Sequence, residues 1–246
     1  MEFSNKLKDK HDGLLFFASF GYMFIGSVLF LIPLLLILNY TDPTFVLTQD
    51  YFQSEAFFVK SMLAESASKI LLIVFFLFVF FKELKENATR AIKEWAPNLV
   101  YIIGGIIIMF ILLNVLTRVY QFFGIEGDSQ NQDILIQATN SSIRPFMFFM
   151  IVIFAPFVEE IIFRKLLFGF CEKTLKLSKW WAFAISTFVF AAIHVIADVD
   201  SYIFIFQYIV LSGIISLSYV LSRKNIVVPM GIHFLNNLLS YIEIIL

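Results

Sequence analysis

The sequence predicts an all-α polytopic membrane protein of about seven transmembrane helices, and three observations carry that prediction. The 246 residues are 60% hydrophobic and only 15% charged, far from the charged fraction of about a quarter in soluble domains. Apolar runs of about 20 residues, the length a helix needs to cross a bilayer, follow one another along the chain. Lysine and arginine alternate between rich and poor on successive connections, as expected when loops lie on opposite sides of a membrane.

The first apolar run, from Gly13 to Tyr40, follows a short basic head with Lys6, Lys8, Lys10 and His11. It is too long for a signal-peptide core and lacks a small-residue cleavage site ahead of Asn39, so it is read as a retained span over 14–38. A loop with Asp42, Asp50 and Glu55 leads to span two, 62–81. Lys82, Lys85, Arg90 and Lys93, interleaved with acids, then predict a short interfacial helix over 82–93. Span three covers 99–123 and exits through Glu126, Asp128 and Asp133. Span four covers 146–170, with Lys173, Lys176 and Lys179 behind it. Span five, 180–196, ends at a tight turn holding Asp198 and Asp200. Span six, 202–221, is followed by Arg223 and Lys224, and span seven fills 227–246.

The lysine-rich connections place the N-terminus in the cytoplasm and the C-terminus outside, in a multi-pass cell-membrane protein. Trp95, Trp180 and Trp181 then fall at cytoplasmic ends of spans, at headgroup depth. No repeat or flexible linker divides the chain. Within one integral domain we distinguish residues 1–144, spans one to three with their linker, from 145–246. The net charge of −1 excludes a nucleic-acid footprint. The single cysteine, Cys171, excludes a disulfide framework or thiolate cluster and reads as a packed apolar residue.

Span four contains Phe157-Val-Glu-Glu-Ile-Ile-Phe-Arg164. An ionised side chain near a bilayer centre costs on the order of 3 kcal/mol, so three together demand partners, water and usually a function. Glu160 and Arg164, four apart, share a helix face and are expected to pair. Glu159 lies about 100° around the axis, free to face a cavity as a base. Phe190 and His194 share a face of span five, and His233 and Asn237 a face of span seven. Counting from the cytoplasmic helix ends puts Glu159 and His194 about 20 Å deep and His233 only about 10 Å deep. Convergence therefore needs a kink near Pro156 or a deeper start of span seven. Taken singly, each group reads equally as an ion pair, a packing histidine or interhelical glue. Together, a base, two imidazoles and an amide are the parts that water attack on a peptide carbonyl requires.

In these residues the sequence resembles the CPBP intramembrane proteases, also called the CAAX protease and bacteriocin-processing or Abi family. That family's signature is Glu-Glu-x-x-x-Arg, Phe-x-x-x-His and His-x-x-x-Asn or Asp on successive membrane helices. Glu159, Glu160 and Arg164 match the first motif, Phe190 and His194 the second, His233 and Asn237 the third. The resemblance covers about 145–246; spans one to three share only hydrophobicity. It implies a conical catalytic cavity among the last four helices, with Glu159 as general base holding the attacking water together with His194. Glu160 and Arg164 would support that arrangement, and His233 with Asn237 would stabilise the oxyanion. Glu159, His194 and His233 would also suit a zinc ion with an open position, yet the HExxH signature of zincins is absent. The residues leave the metal open.

The expected function is an intramembrane endopeptidase acting on a membrane-associated peptide or lipopeptide, in peptide maturation or bacteriocin immunity rather than prenyl-protein processing. Its substrate would reach the cavity from the lipid side. The alternative is a catalytically silent relative serving as a membrane scaffold or immunity partner, against which the intact motif residues argue. A proton-coupled transporter would need inverted repeats, and spans one to three show no counterpart to the paired glutamates. A serine protease built on Ser212 and His233 lacks the glycine of a Gly-x-Ser motif, because Val210 stands there.

Overall fold

The computed structural model describes residues 2–41, 46 and 48–246, with side chains from Gly13 onward. The side chains of Lys6, Lys8, Lys10 and His11, and all of Asp42, lie outside that range. Every regular element described is helical. In order they are α1 (Glu2–Thr41), α2 (Gln49–Phe52), α3 (Glu55–Lys93), α4 (Trp95–Phe122), α5 (Gln130–Thr139), α6 (Arg144–Phe148), α7 (Ala155–Glu160), α8 (Lys179–Ile193), α9 (Ile205–Leu221) and α10 (Val227–Ile245). The π-helical stretch Phe149–Phe154 joins α6 to α7, two more, Ile161–Leu167 and Phe170–Thr174, continue the same long rod beyond α7, and a 3-10 turn, Asp200–Phe204, leads into α9.

The protein is an all-α polytopic membrane protein. Among the described residues, five stretches are long and apolar enough to cross a bilayer: Gly13–Thr41, Glu55–Lys93, Trp95–Phe122, Arg144–Thr174 and Asp200–Leu221. Seven crossings were expected. The two remaining helices fall short for different reasons. Helix α8 has 15 residues, about 22 Å against a hydrocarbon core of about 30 Å, and α10 carries His233, Asn236 and Asn237 among its apolar residues. Outward faces are apolar where lipid would meet them, as at the exposed Phe78, Ile107 and Phe188, and Trp95, Trp180 and Trp181 are exposed at helix starts.

Two boundaries differ from the sequence reading. The charged stretch 82–93 is no separate interfacial helix but the last three turns of α3, because nothing between Phe81 and Lys93 interrupts helix formation. Span five stops at Ile193 rather than Ile196, with His194 as its C-cap. The chain then turns through 194–197. Irregular backbone at membrane depth is tolerated where it lines a polar cavity, and that is where His194 sits.

Helices α4 and α10 approach each other closely. A Cβ on Gly105 would lie 2.7 Å from Ile232 Cδ1, and one on Gly231 would lie 2.9 Å from Ile102 Cδ1, whereas Gly104 faces open space. Met109, Ile215 and Ile232 form the buried apolar cluster where α4, α9 and α10 meet. A larger cluster, including Phe76, Ile161, Phe163, Leu166 and Phe190, joins α1, α3, the long rod and α8. The polar residues of α7 and α10 lie between these layers.

Candidate active site

Two local features bring the motif residues to one level. Pro156 has no N–H for the carbonyl of Val152, and the turns before it, Phe149–Phe154, are π-helical, as are those after Glu160, Ile161–Leu167. Glu159 and Glu160 thus occupy a short α-helical island between widened turns, a device common at functional sites. At the lysine-rich end, Asn87 of α3 holds the start of α10: its Oδ1 accepts from Ile226 N at 3.1 Å, and its carbonyl accepts from Asn225 Nδ2 at 3.2 Å. One turn away Glu83 pairs with Lys165. Lys165 therefore lies within about one turn of the level at which α10 begins. Glu160 lies about 7 Å deeper than Lys165 and His233 about 9 Å deeper than Val227, and the two meet at 2.8 Å. The expected depth mismatch arose from counting down from Cys171, although residues 165–174 extend beyond the start of α10.

Arg164 and Glu160 are both fully buried, and Arg164 Nε faces Glu160 Oε2 at 3.1 Å. Arg164 Nη2 also donates to Ser212 Oγ at 2.8 Å and to the Ser212 carbonyl at 3.2 Å. Its guanidinium lies 4.7 Å from the centre of the Phe190 ring. The second carboxylate oxygen of Glu160 lies 2.8 Å from Nδ1 of His233. A carboxylate only accepts, so that imidazole carries its proton on Nδ1 and turns Nε2 towards the cavity.

His194 is held in the same sense from the other side. Its Nδ1 lies 2.7 Å from the carbonyl of Phe190, again fixing the proton there. Both Nε2 atoms then converge on Glu159: His194 Nε2 at 4.0 Å and His233 Nε2 at 3.8 Å from Oε2. Three acceptors facing one point repel unless a proton donor or cation lies between them. Asn237 lines the same cavity but spends one amide hydrogen on the Ile151 carbonyl at 2.9 Å, while its Oδ1 accepts from Asn236 Nδ2 at 3.2 Å.

The cavity holds about 230 Å³ and includes Glu159, His194, His233 and Asn237 in its wall. It is not built by the last four helices alone. Met62, Glu65, Ser66 and Lys69 of α3 and Asn131 and Gln132 of α5 complete it. Glu65 and Lys69 form an ion pair at 2.7 Å, with Lys69 within electrostatic reach of Glu159. Sequence reasoning passed over this pair, although opposite charges four apart inside a predicted span are the signal that singled out Glu160 and Arg164. Tyr208 and Ser212, the partners of His194 and Arg164, carried no such signal. Asn114 turns back onto its own helix, donating to the Phe110 carbonyl, and Arg118 and Glu243 are exposed.

Zinc would suit the donor types of Glu159, His194 and His233. Ligands on one tetrahedral ion at about 2.1 Å stand about 3.4 Å apart, closer than the 3.8 and 4.0 Å observed. Among the described residues no three His, Cys, Asp or Glu side chains form a metal-ligand group. The residues as placed do not fit the ion.

Residues 141–239 match the family described as type II CAAX prenyl endopeptidase, Rce1-like. Over that region the chain is similar to the CPBP family of membrane proteases. Over 155 residues it is 32% identical to the membrane-embedded CAAX protease MroQ of Staphylococcus aureus (strain USA300), covering 63% of this chain and 59% of MroQ. Over 132 residues it is 27% identical to UPF0177 protein YbdI of Lactococcus lactis subsp. lactis (strain IL1403), covering 51% of this chain and 68% of that protein. The chain thus spans less than two thirds of MroQ. No solved structure matches. The CPBP match begins just before α6 and ends within α10, so α3, which supplies Glu65 and Lys69, lies outside it.

Proposed function

We propose that the chain is an intramembrane endopeptidase that hydrolyses a membrane-associated peptide by water activated at Glu159. The observation that carries this reading is the convergence of Glu159 Oε2 with two imidazole Nε2 atoms at 3.8 and 4.0 Å inside a cavity between membrane helices. A water between them would give one hydrogen to Glu159 and lie within reach of both nitrogens.

Glu159 takes a proton from that water as its oxygen bonds to the scissile carbonyl carbon. The carbonyl oxygen becomes an oxyanion. Glu160 fixes the ring of His233 by accepting from Nδ1, and donation from Nε2 to that oxygen requires the doubly protonated imidazole. Asn237 has one amide hydrogen left for the same oxygen. Glu159 then returns the proton to the departing nitrogen, and the C–N bond breaks. Arg164 holds the Glu160 carboxylate in place beside His233.

The substrate class is a peptide or lipopeptide matured at, or cleared from, the membrane. Support comes from the cavity's place among apolar helices and from MroQ, whose printed name is that of a CAAX protease. The lysine-rich ends of the helices support a cytoplasmic N-terminus and an outer C-terminus as part of this reading. The test compares membrane and secreted peptides, by mass spectrometry, from cells making the intact protein or Glu159→Ala at equal membrane abundance. A peptide whose length differs between the two supports hydrolysis. No difference, with the cellular phenotype retained by Glu159→Ala, overturns it in favour of binding alone.

A further inference from the structure

His194 has a problem of orientation that the hydrogen bond to its own helix does not solve. It caps α8, it is followed by turn rather than helix, and one hydrogen bond from Nδ1 to the Phe190 carbonyl leaves its ring free to swing about that bond. The missing restraint comes from two aromatic rings. Phe190 stacks on one face, with centroids 4.4 Å apart and planes at 27°, and Tyr208 of α9 stacks as well, at 4.8 Å and 25°. Near-parallel contacts at these distances are favourable aromatic geometry. Tyr208 is itself held: its hydroxyl lies 2.6 Å from Ser129 Oγ, the N-cap of α5, and accepts from Asn131 Nδ2 at 3.3 Å. Gln130 N is fixed in turn by Ser201 Oγ at 2.9 Å.

We propose that Tyr208 is a positioning residue for His194: its ring and that of Phe190 clamp the imidazole so that Nε2 stays aimed at Glu159, and its hydroxyl secures the clamp to the start of α5. The inference rests on the peptidase reading for its kinetic consequence, but the clamp itself has a readout that needs no substrate. Tyr208 lines the same cavity, but its ring stacks on His194 and its hydroxyl is engaged by Ser129 and Asn131, so the proposed effect of its loss runs through His194.

The test uses the full-length protein in detergent with 13C-labelled histidine. The chain has three histidines, and His194→Asn assigns the His194 ring signal. Stacked rings shift its carbon-bound protons upfield. We expect Tyr208→Phe, which keeps the ring, to keep that shift and most of kcat. Tyr208→Leu should move the signal downfield and lower kcat roughly ten- to a hundredfold, with KM changed less than about twofold, because misplacing one catalytic group costs on that order. Tyr208→Met, which refills the space flexibly, serves if the leucine variant does not fold. An unmoved signal in the ringless variants overturns the clamp; a moved signal with unchanged kcat overturns the positioning role. Should Glu159→Ala hydrolyse peptide as fast as the intact protein, the peptidase reading fails on that measurement, and the ring signal alone decides whether Tyr208 orients His194.

Discussion

Glu160 accepts a hydrogen bond from Nδ1 of His233 at 2.8 Å, so the second glutamate of the pair acts on the site through an imidazole from α10. Its other oxygen faces Arg164 at 3.1 Å. Adjacent glutamates therefore have different physical tasks. Glu159 has a cavity in front of it; Glu160 is enclosed between a cation and a ring nitrogen.

That division gives the first expectation. Glu160→Ala leaves Arg164 buried without its anion, and breaking a buried pair from one side costs about 3–5 kcal/mol. We expect a clear fall in thermal stability in detergent and in membrane abundance. Glu159→Ala should leave both nearly unchanged while abolishing peptide hydrolysis. Equal stability of the two variants would contradict the enclosed ion pair.

Arg164 is more demanding of its geometry than its charge alone requires. It meets Glu160, both polar atoms of Ser212 and the face of Phe190 at once, which a lysine ammonium on a flexible stem cannot reproduce. Arg164→Lys is expected to lose activity and to lower the melting temperature. Ser212→Ala removes one partner of a buried charged group, costing about 1–3 kcal/mol. Thermal unfolding of both variants, ranked Arg164→Lys below Ser212→Ala, checks the order.

Much of the site was legible in the sequence because charge is so costly at membrane depth that Glu159, Glu160, Arg164, His194 and His233 stand out from their surroundings. Helical spacing then gave the Glu160 to Arg164 contact directly. The level of the site was not legible, because residue counting assumes regular α-helix ending at a common plane. The π-helical turns around α7, the run of residues 165–174 past the start of α10, and the early stop of α8 at Ile193 all break that assumption. Tyr208 was hidden for another reason: an aromatic residue in an apolar helix gives no sign of which ring it will stack upon.

The start of α10 supplies a further expectation. Asn87 bonds to both Asn225 and Ile226, and this bracket sets how deep His233 lies. Asn87→Ala removes the side-chain acceptor for Ile226 N and frees the α10 start to shift along its axis. We expect hydrolysis to fall by about tenfold or more with a stability loss of about 1–3 kcal/mol, since the bond to Ile226 N is lost together with those to Arg90 Nη2 and the Glu83 carbonyl. Proteoliposome assays beside thermal unfolding separate the two effects, and parallel losses would argue that the bracket only stabilises.

Gly104 and Gly105 offer a paired test of how α4 and α10 meet. A side chain on Gly105 would collide with Ile232, one residue before His233, whereas one on Gly104 meets nothing within 4 Å. Gly105→Leu is therefore expected to destabilise by about 1–3 kcal/mol through overpacking, and to disturb His233 by pushing on its neighbour. Gly104→Leu should be tolerated, since its new side chain has open space to occupy, and replacing glycine within a helix removes its entropic penalty. Melting temperatures of the two variants measured side by side decide the matter: equal behaviour would mean that α4 and α10 do not approach in the membrane as closely as Gly105 and Gly231 allow.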